Sequence, residues 1–136
     1  MTRYLLDTNV VSEFRKPRPH ERVWAWFESL RENQIYLSAV TLGELQRGIE
    51  LTRRQDRIKA QNIESWVDYW EATQNLLPMD AACFREWARL MVGKSETLLE
   101  DAMIAATARV HGLTVATRNT DDFALLHVPV LNPFGT

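Results

Sequence analysis

The chain has 136 residues, a length typical of one folded domain, and we treat residues 1–136 as a single domain. Its 16 basic and 18 acidic residues give a formal charge of −2, which by itself argues against a polyanionic partner. The single cysteine, Cys83, excludes an intrachain disulfide, and no apolar run approaches the roughly 20 residues of a membrane span. Since no secretory signal is recognisable, we expect a cytoplasmic protein without a membrane anchor.

Short β-prone runs alternate with helical patterns along the chain. Strands are predicted, in chain order, at residues 3–6, 35–38, 113–117 and 128–131, with a further short one at 75–78. Apolar residues at helical spacing span residues 23–30, 63–70 and 84–91, and an alanine-rich segment spans 101–111. Gly112 follows that segment where helices often end through a left-handed residue. The pattern predicts an α/β sandwich, with helices on both faces of a mostly parallel sheet of four or five short strands.

Large aromatic side chains fall on the apolar stripes of the predicted helices. Phe84 begins the stripe of residues 84–91, and four tryptophans are expected in the core: Trp26, Trp66, Trp70 and Trp87. Trp24 lies off its stripe. Together with part of the Trp66–Trp70 surface, it is a candidate contact for another protein chain, because aromatic residues are enriched in interfaces.

Acidic and amide side chains follow the predicted strands. Ligand sites of open α/β sheets form at the carboxyl ends of the strands, and those of a parallel sheet share one edge. The residues at these positions come from four distant parts of the chain: Asp7, Glu44, Asp101, and the group Asn119, Asp121 and Asp122. The sequence therefore predicts that they converge.

Helix capping is the alternative explanation for several of these residues. Thr41 with Glu44, Thr97 with Glu100, and Asn119 with Asp122 have the spacing of a capping box or a looser version of it. Asp7 is the strongest indication of a site, because an unpaired carboxylate directly after an apolar strand is costly to bury and no Lys or Arg follows until Arg15.

A cluster of carboxylates needs a cation, since the like charges would otherwise repel one another. Oxygen ligands alone suit Mg²⁺ or Mn²⁺. Zinc is not expected, because the three histidines show no i, i+4 pairing and there is one cysteine.

Four segments carry motifs that together resemble a known family. They are LLDTNVVSE (residues 5–13), SAVTLGELQRGI (38–49), EDAMIAATARVHG (100–112) and VATRNTDDF (115–123). Their residues and order resemble the PIN-domain family, and more narrowly the VapC toxins of bacterial type II toxin–antitoxin modules, including the FitB-like branch. The resemblance spans nearly the whole chain and implies a PIN-like three-layer α/β/α sandwich.

The resemblance implies an endoribonuclease that depends on Mg²⁺ or Mn²⁺ and acts as the toxin of a toxin–antitoxin pair. Asp7, Glu44 and Asp101 match three of the family's acidic positions. At the fourth position many relatives have an aspartate where this chain has Asn119, so Asp122 becomes the expected fourth carboxylate, and Asp121 is a weaker substitute. The resemblance also implies a homodimer and a tight complex with a cognate antitoxin protein.

The hypothesis for the mechanism assigns roles to two groups of residues. Asp7 and Asp101 are expected to bind the divalent ion, while Glu44 and Asp122 bind a second ion or position the attacking water. The carboxylates are expected to be oriented by neighbouring polar side chains: Thr8, Asn9, Thr117 and Asn119. Attack by water predicts products with a 5′-phosphate and a 3′-hydroxyl.

Arginines close to the acidic motifs are candidates for RNA binding. Arg15 follows the DTN motif, and Arg118 adjoins Asn119; arginine contacts phosphates and stacks on bases. A second basic group, residues 53–59, is interpreted as a solvated helix face. If a metal ion neutralises the four carboxylates, the remaining formal charge becomes about +2, which is compatible with RNA.

Two other functions remain open on the sequence. One is a metal-independent module of the same fold that only binds RNA or protein. The other is a phosphohydrolase of the haloacid dehalogenase type, which also has an aspartate after its first strand. That class needs a second aspartate two residues later, where this chain has Asn9.

Overall fold

The computed structural model describes residues 1–135 and consists of a parallel sheet between two layers of helices. The strands are β1 (Tyr4–Leu6), β2 (Ile35–Ser38), β3 (Asn75–Leu77), β4 (Thr114–Ala116) and β5 (Val130–Leu131). The helices are α1 (Thr8–Glu13), α2 (Glu21–Glu28), α3 (Ala39–Arg53), α4 (Arg57–Thr73), α5 (Ala81–Met91), α6 (Leu99–His111) and α7 (Thr120–Ala124). Short 3₁₀ turns precede β2 and α6, at Glu32–Gln34 and Glu96–Leu98.

The sheet has the order β3–β2–β1–β4–β5, and every neighbouring pair is parallel. The first strand is therefore central, with Leu6 beside Leu37 of β2 and Ala116 of β4. This arrangement confirms the predicted fold class. Because three strands end at the same level, the residues that follow them meet at one edge of the sheet.

Side-chain alternation along β1 supplies both halves of the core. Leu5 and Leu6 are both fully buried but point to opposite faces, since successive side chains of a strand alternate. Leu5 packs with residues of α6 and α7, and Leu6 packs with residues of α1, α2 and α4. Burial of each leucine stabilises the fold by about 1.5–3 kcal/mol.

Helix α6 lies against the sheet through small side chains. Its alanines at 102, 105, 106 and 108 are fully buried, as the alanine-rich segment predicts. The helix ends at Gly112, whose φ of 67° is left-handed, so the expected glycine cap is present. Asp101, in the first turn, is thereby fixed at the edge of the sheet.

Helix α5 buries a different line of residues from the one predicted. Phe84 is 45% exposed, whereas Cys83 and Leu90 are buried, so the prediction that Phe84 faces the core is wrong. On an amphipathic helix, two rows of apolar residues can lie one position apart along the sequence. The small side chain of Cys83 allows the helix to pack closely on the side that carries its row. Of the four tryptophans expected in the core, Trp70 is buried and the others are half-buried, while Trp24 is exposed.

The last predicted strand is also shorter than expected. Strand β5 begins at Val130 rather than at residue 128 because Pro129 has no N–H to donate, and its carbonyl accepts from Val115 N at 2.9 Å. Among residues 1–135, none of the helices combines the length and the apolar character that crossing a membrane requires.

Candidate active site

The predicted acidic residues lie at the carboxyl edge of the sheet, around the end of β1. Asp7 follows β1 and Thr117 follows the neighbouring β4. The backbone continues the sheet at this point, since Asp7 N donates to Ala116 O at 2.9 Å and Thr117 N donates to Leu131 O at 3.0 Å. The two side chains therefore leave the sheet next to each other.

Asp7 is the most buried of the acidic residues, with 5% of its surface exposed. It caps α1, and its Oδ1 accepts a hydrogen bond from Thr8 N at 2.8 Å. Its Oδ2 accepts from Thr117 Oγ1 at 2.8 Å and from Asn9 Nδ2 at 3.2 Å. Burial raises the pKa of Asp7, and the hydrogen bonds from Thr117 and Thr8 partly oppose that rise.

Glu44 projects from α3 toward the first turn of α1. Its Oε1 accepts from Thr8 Oγ1 at 2.8 Å, and Thr8 Oγ1 also lies 3.2 Å from Thr41 Oγ1. Burial raises the pKa of Glu44, and the charges of Asp7 and Glu100 raise it further. These carboxyl groups are thus close enough to repel one another.

The capping explanation of Glu44 is wrong. Helix α3 begins at Ala39, and Ser38 caps it by accepting from Val40 N at 3.0 Å. Glu44 lies in the second turn of α3, too far along the helix to serve a capping box. Its carboxylate is turned toward the acidic site instead.

Asp101 and Asp122 are joined by Asn119. Asn119 Nδ2 donates to Asp122 Oδ2 at 2.8 Å and to Asp101 Oδ2 at 3.3 Å. Burial, followed by the charges of Asp7, Asp122 and Glu44, raises the pKa of Asp101 to about 7. Asp121, the weaker substitute for the fourth position, is exposed to solvent.

Capping does not explain these residues either. Ser95 caps the 3₁₀ turn before α6, and α6 itself starts after Leu98 without a side-chain cap, so the proposed box of Thr97 and Glu100 is absent. Asn119 precedes α7 but its side chain makes no capping bond. It donates to two carboxylates instead.

Within the described residues 1–135, the four carboxylates of Asp7, Glu44, Asp101 and Asp122 form no ion pair with a lysine, arginine or histidine. Within residues 1–135, the acidic members of the ion pairs are Glu13, Glu50, Glu64 and Glu86. The donors to the four carboxylates are neutral groups of threonine and asparagine side chains and one backbone N–H. Clustered negative charge with raised pKa values is an arrangement that a cation stabilises.

The chemistry of these side chains fits Mg²⁺ or Mn²⁺, which prefer oxygen ligands. As the side chains stand, no three His, Cys, Asp or Glu residues in the described part of the chain are close enough to enclose a metal ion together. The carboxylates are turned onto their threonine and asparagine donors. The side chains around the site nevertheless offer carboxylate, hydroxyl and amide oxygens as metal ligands. The residues present therefore suit a hard divalent cation.

The two arginines expected to bind RNA lie in different surroundings. Arg15 is exposed in the segment that follows α1. Arg118 is exposed between Thr117 and Asn119, and its backbone N donates to Asn9 Oδ1 at 3.2 Å. Both therefore emerge from segments that also carry site residues.

The basic group at residues 53–59 does not form one helix face. It spans the end of α3, the turn and the start of α4. Arg53 is paired with Glu50 at 3.0 Å and with Glu64 at 2.8 Å. The interpretation as a single solvated helix face is therefore wrong, and Arg53 connects α3 to α4.

Two residues near the site were not identified from the sequence. Glu13 is 5% exposed and accepts from Lys16 Nζ at 3.0 Å and His20 N at 2.9 Å, which fixes the segment that carries Arg15. A glutamate two residues after the apolar pair Val10 and Val11 was the available signal. The other is Phe134, whose ring lies under Arg118; only the tertiary structure brings these two together.

The raised pKa values predict how stability depends on pH. Without divalent ions, the melting temperature is expected to fall as the pH rises from about 5 to about 8. The pKa of Asp101 is raised from 3.8 to about 7, so between these pH values the folded protein holds a proton that the unfolded chain has released. The stability that this bound proton supplies is lost as the pH rises through about 7. Thermal unfolding in EDTA measures this effect.

Asp101→Asn is the matched control for that measurement. The amide cannot ionise, so the variant is expected to unfold at a temperature about 2–4 °C above that of the original protein near pH 8, and to depend less on pH. The same pH slope in both proteins would contradict the role of Asp101.

Known proteins and solved structures are similar to this chain in sequence and in fold. The sequence profile of the PIN domain matches residues 4–128. The chain is 41% identical to toxin FitB of Neisseria gonorrhoeae over 96% of this chain and 97% of that protein, and 33% identical to VapC ribonuclease Y4jK of Sinorhizobium fredii, covering 96% of each.

The crystal structure of FitAcB from Neisseria gonorrhoeae superposes with a TM-score of 0.81 at 38% identity, covering 98% of this chain and 99% of that chain. For FitAB bound to an IR36 DNA fragment the TM-score is 0.79 at 36% identity, over 98% and 96%. The chain belongs to the PIN-domain family.

Proposed function

We propose that this protein is a divalent-metal-dependent endoribonuclease and the toxin of a toxin–antitoxin pair. The observation that carries the proposal is that Asp7, Glu44, Asp101 and Asp122 lie near one another at one sheet edge and that, in the part of the chain that the structure describes, none of them belongs to an ion pair. The names of two relatives, toxin FitB and VapC ribonuclease Y4jK, support the same activity. Membership of the PIN family removes the haloacid dehalogenase alternative, which the asparagine at position 9 already disfavoured.

Asp7 and Asp101 are the proposed ligands of Mg²⁺ or Mn²⁺. When bound, such an ion lowers the pKa of water and stabilises the negative charge that develops on the phosphate. Asp7 is held in place by Thr8, Asn9 and Thr117, and Asp101 by Asn119, so the carboxylates keep a fixed spacing.

Glu44 and Asp122 complete the proposed site. Thr8 binds one carboxylate oxygen of Glu44, which leaves the other to orient the attacking water or to bind a second ion. Asn119 likewise binds one carboxylate oxygen of Asp122 and leaves the other oxygen available. Since water attacks rather than the ribose 2′-hydroxyl, the products are expected to carry a 5′-phosphate and a 3′-hydroxyl.

The proposed partners are RNA, a cognate antitoxin protein and a second copy of the chain. Relatives in the FitAB and FitAcB structures are similar to this chain over nearly its whole length. The exposed Trp24, at 48%, is the aromatic side chain proposed to contact a partner protein.

Purified protein is expected to cleave a mixed RNA substrate with Mn²⁺ or Mg²⁺ and to lose that cleavage in EDTA, because the carboxylates alone cannot stabilise the phosphate charge. Gel analysis of end-labelled RNA measures cleavage with the metal ion and its loss in EDTA. The migration of the labelled fragments identifies the chemical termini of the products. Cleavage that persists in EDTA would contradict the metal-dependent mechanism.

A metal-independent binding module is the competing function, and the same assay distinguishes it. Such a module would retard RNA in a gel without cutting it under any ion condition. In a second arm, the protein is co-expressed with the product of a small open reading frame next to its gene. A complex of the two that no longer cuts RNA is expected, and its size reports whether two toxin copies are present.

A further inference from the structure

The C-terminal segment after β5 places an aromatic ring beside the acidic site. Asn132 Oδ1 accepts from Phe134 N at 3.0 Å and forms the turn that carries the ring back onto the protein. Phe134 is 9% exposed and packs into the same half of the core as Leu6 and Val10. The turn and the packing of the ring therefore hold Phe134 in place.

Arg118 lies over this ring. Its guanidinium carbon is 3.7 Å from the centroid of Phe134, and the His20 ring meets Phe134 edge-on with centroids 5.4 Å apart. A contact of this kind holds the flat guanidinium against the aromatic face and restricts a side chain that otherwise has many rotamers. Arg118 is an exposed residue, so its side chain is open to solvent on the side away from the ring.

The position of Arg118 relates this open face to the acidic site. The residues on either side bond to site carboxylates, Thr117 to Asp7 and Asn119 to Asp101 and Asp122. Glu13 is near enough for Arg118 to lower its pKa, but its carboxylate is bonded to Lys16 and His20. Within residues 1–135, Arg118 belongs to no ion pair, so its position is set by the ring.

A guanidinium with one face on a ring and one face open suits a flat ligand better than a phosphate. Phosphate binds guanidinium N–H groups in the plane, whereas an unpaired base stacks on the face. Bases inside an RNA duplex are stacked on each other and cannot reach it. A site of this type therefore selects single-stranded or looped RNA.

We propose that Phe134 is a positioning residue that holds Arg118 as a stacking platform for an unpaired base next to the phosphodiester that is cut. The platform rests on the proposed ribonuclease function and specifies its substrate as unpaired RNA. Phe134 itself does not touch the RNA; it acts through Arg118.

The test measures binding separately from cleavage. Binding of a fluorescein-labelled, unstructured 12-nucleotide RNA is followed by anisotropy in EDTA, where no cutting is expected. Phe134→Leu keeps an apolar side chain but removes the aromatic face, and it is expected to raise the Kd about twofold to fivefold. Phe134→Trp keeps the face and is expected to restore the original Kd. In Mn²⁺, Phe134→Leu should raise KM by the same factor with kcat within about twofold.

A double-mutant cycle separates positioning from a general structural effect. Arg118→Ala is expected to raise the Kd about tenfold by removing the stacking face. Adding Phe134→Leu to Arg118→Ala should then change nothing further, because the ring acts only through the arginine. If Phe134→Leu weakens binding equally with and without Arg118, the platform is wrong and the ring has only a structural role.

Two controls complete the experiment. Tyr69→Leu removes an exposed ring near Ile35, at the opposite edge of the sheet, and is expected to leave Kd unchanged. A blunt-ended RNA duplex of similar composition, which has no loop, should bind Phe134→Leu and the original protein equally. Equal weakening on the duplex would overturn the selection of unpaired bases.

The outcomes for the platform and for the ribonuclease can be told apart. Normal cleavage with unchanged Kd and KM in Phe134→Leu would overturn the platform and leave the ribonuclease standing. Absence of cleavage by every form, with the binding differences intact, would support the platform and overturn the ribonuclease.

Discussion

Replacing Asp7 or Asp101 by asparagine is expected to lower kcat for RNA cleavage at least about 100-fold, since each change removes a charged ligand from the proposed metal site. The two residues lie 94 positions apart in the chain, at 7 and 101, and each carries a raised pKa in the folded protein. The amide keeps the size of the side chain, so the loss reports the charge rather than the shape. End-labelled RNA in Mn²⁺ measures it.

Asp121→Asn is the matched control. Asp121 precedes Asp122 on α7 but is exposed, so the same chemical change is expected to leave kcat within about twofold. Full activity in purified Asp7→Asn or Asp101→Asn would refute the mechanism. Strong loss in Asp121→Asn would instead move the fourth carboxylate from Asp122 to its neighbour.

Thr117→Val is expected to have the second large effect, although position 117 carries no charge. The Thr117 hydroxyl is fully buried, donates to Asp7 Oδ2 at 2.8 Å and accepts from Asn119 N at 2.8 Å. Valine keeps the shape but leaves the Asn119 N–H without its partner, which costs about 1–3 kcal/mol of the free energy of unfolding. The pKa of Asp7 is expected to rise further, because the bond from Thr117 lowers it. Misplaced carboxylates should reduce cleavage about 10- to 100-fold.

Thr117→Ser tests whether the hydroxyl is responsible. Serine retains the donor and acceptor and loses one methyl group, so cleavage is expected to stay within about threefold of the original protein. Urea unfolding measures the stability of both variants, and RNA cleavage measures their activity. If Thr117→Val cuts RNA as fast as the original protein, the hydroxyl does not orient Asp7.

The sequence was informative where local pattern and chemistry coincide. Strand β2 has the predicted bounds of residues 35–38 because its apolar run ends at Ser38, which caps the next helix. Asp7 stood out because an unpaired carboxylate directly after a buried strand is costly to bury. The alanine-rich segment predicted α6 and its glycine end in the same way.

Local patterns were insufficient where a contact spans the chain. Glu44 fits a capping box by spacing, but a serine six residues earlier caps the helix, and the glutamate meets Thr8 across 36 residues of sequence. Phe84 has the spacing of a core residue, yet the neighbouring line through Cys83 is the buried one, on a helix that packs against α6. The stack of Arg118 on Phe134 depends on how the C-terminal turn folds back, which periodicity does not encode.

The bond from Thr117 to Asp7 joins groups 110 residues apart in the chain, and Asn119 lies beyond that bond. During synthesis the amino-terminal strand leaves the ribosome long before strand β4, which must dock beside it to complete the acidic cluster. A nascent or truncated chain therefore lacks the assembled site, whatever part of it has already folded. Translation therefore has to pass position 122 before the acidic cluster can assemble, and this sets a lower limit on the time between the start of synthesis and a complete cluster.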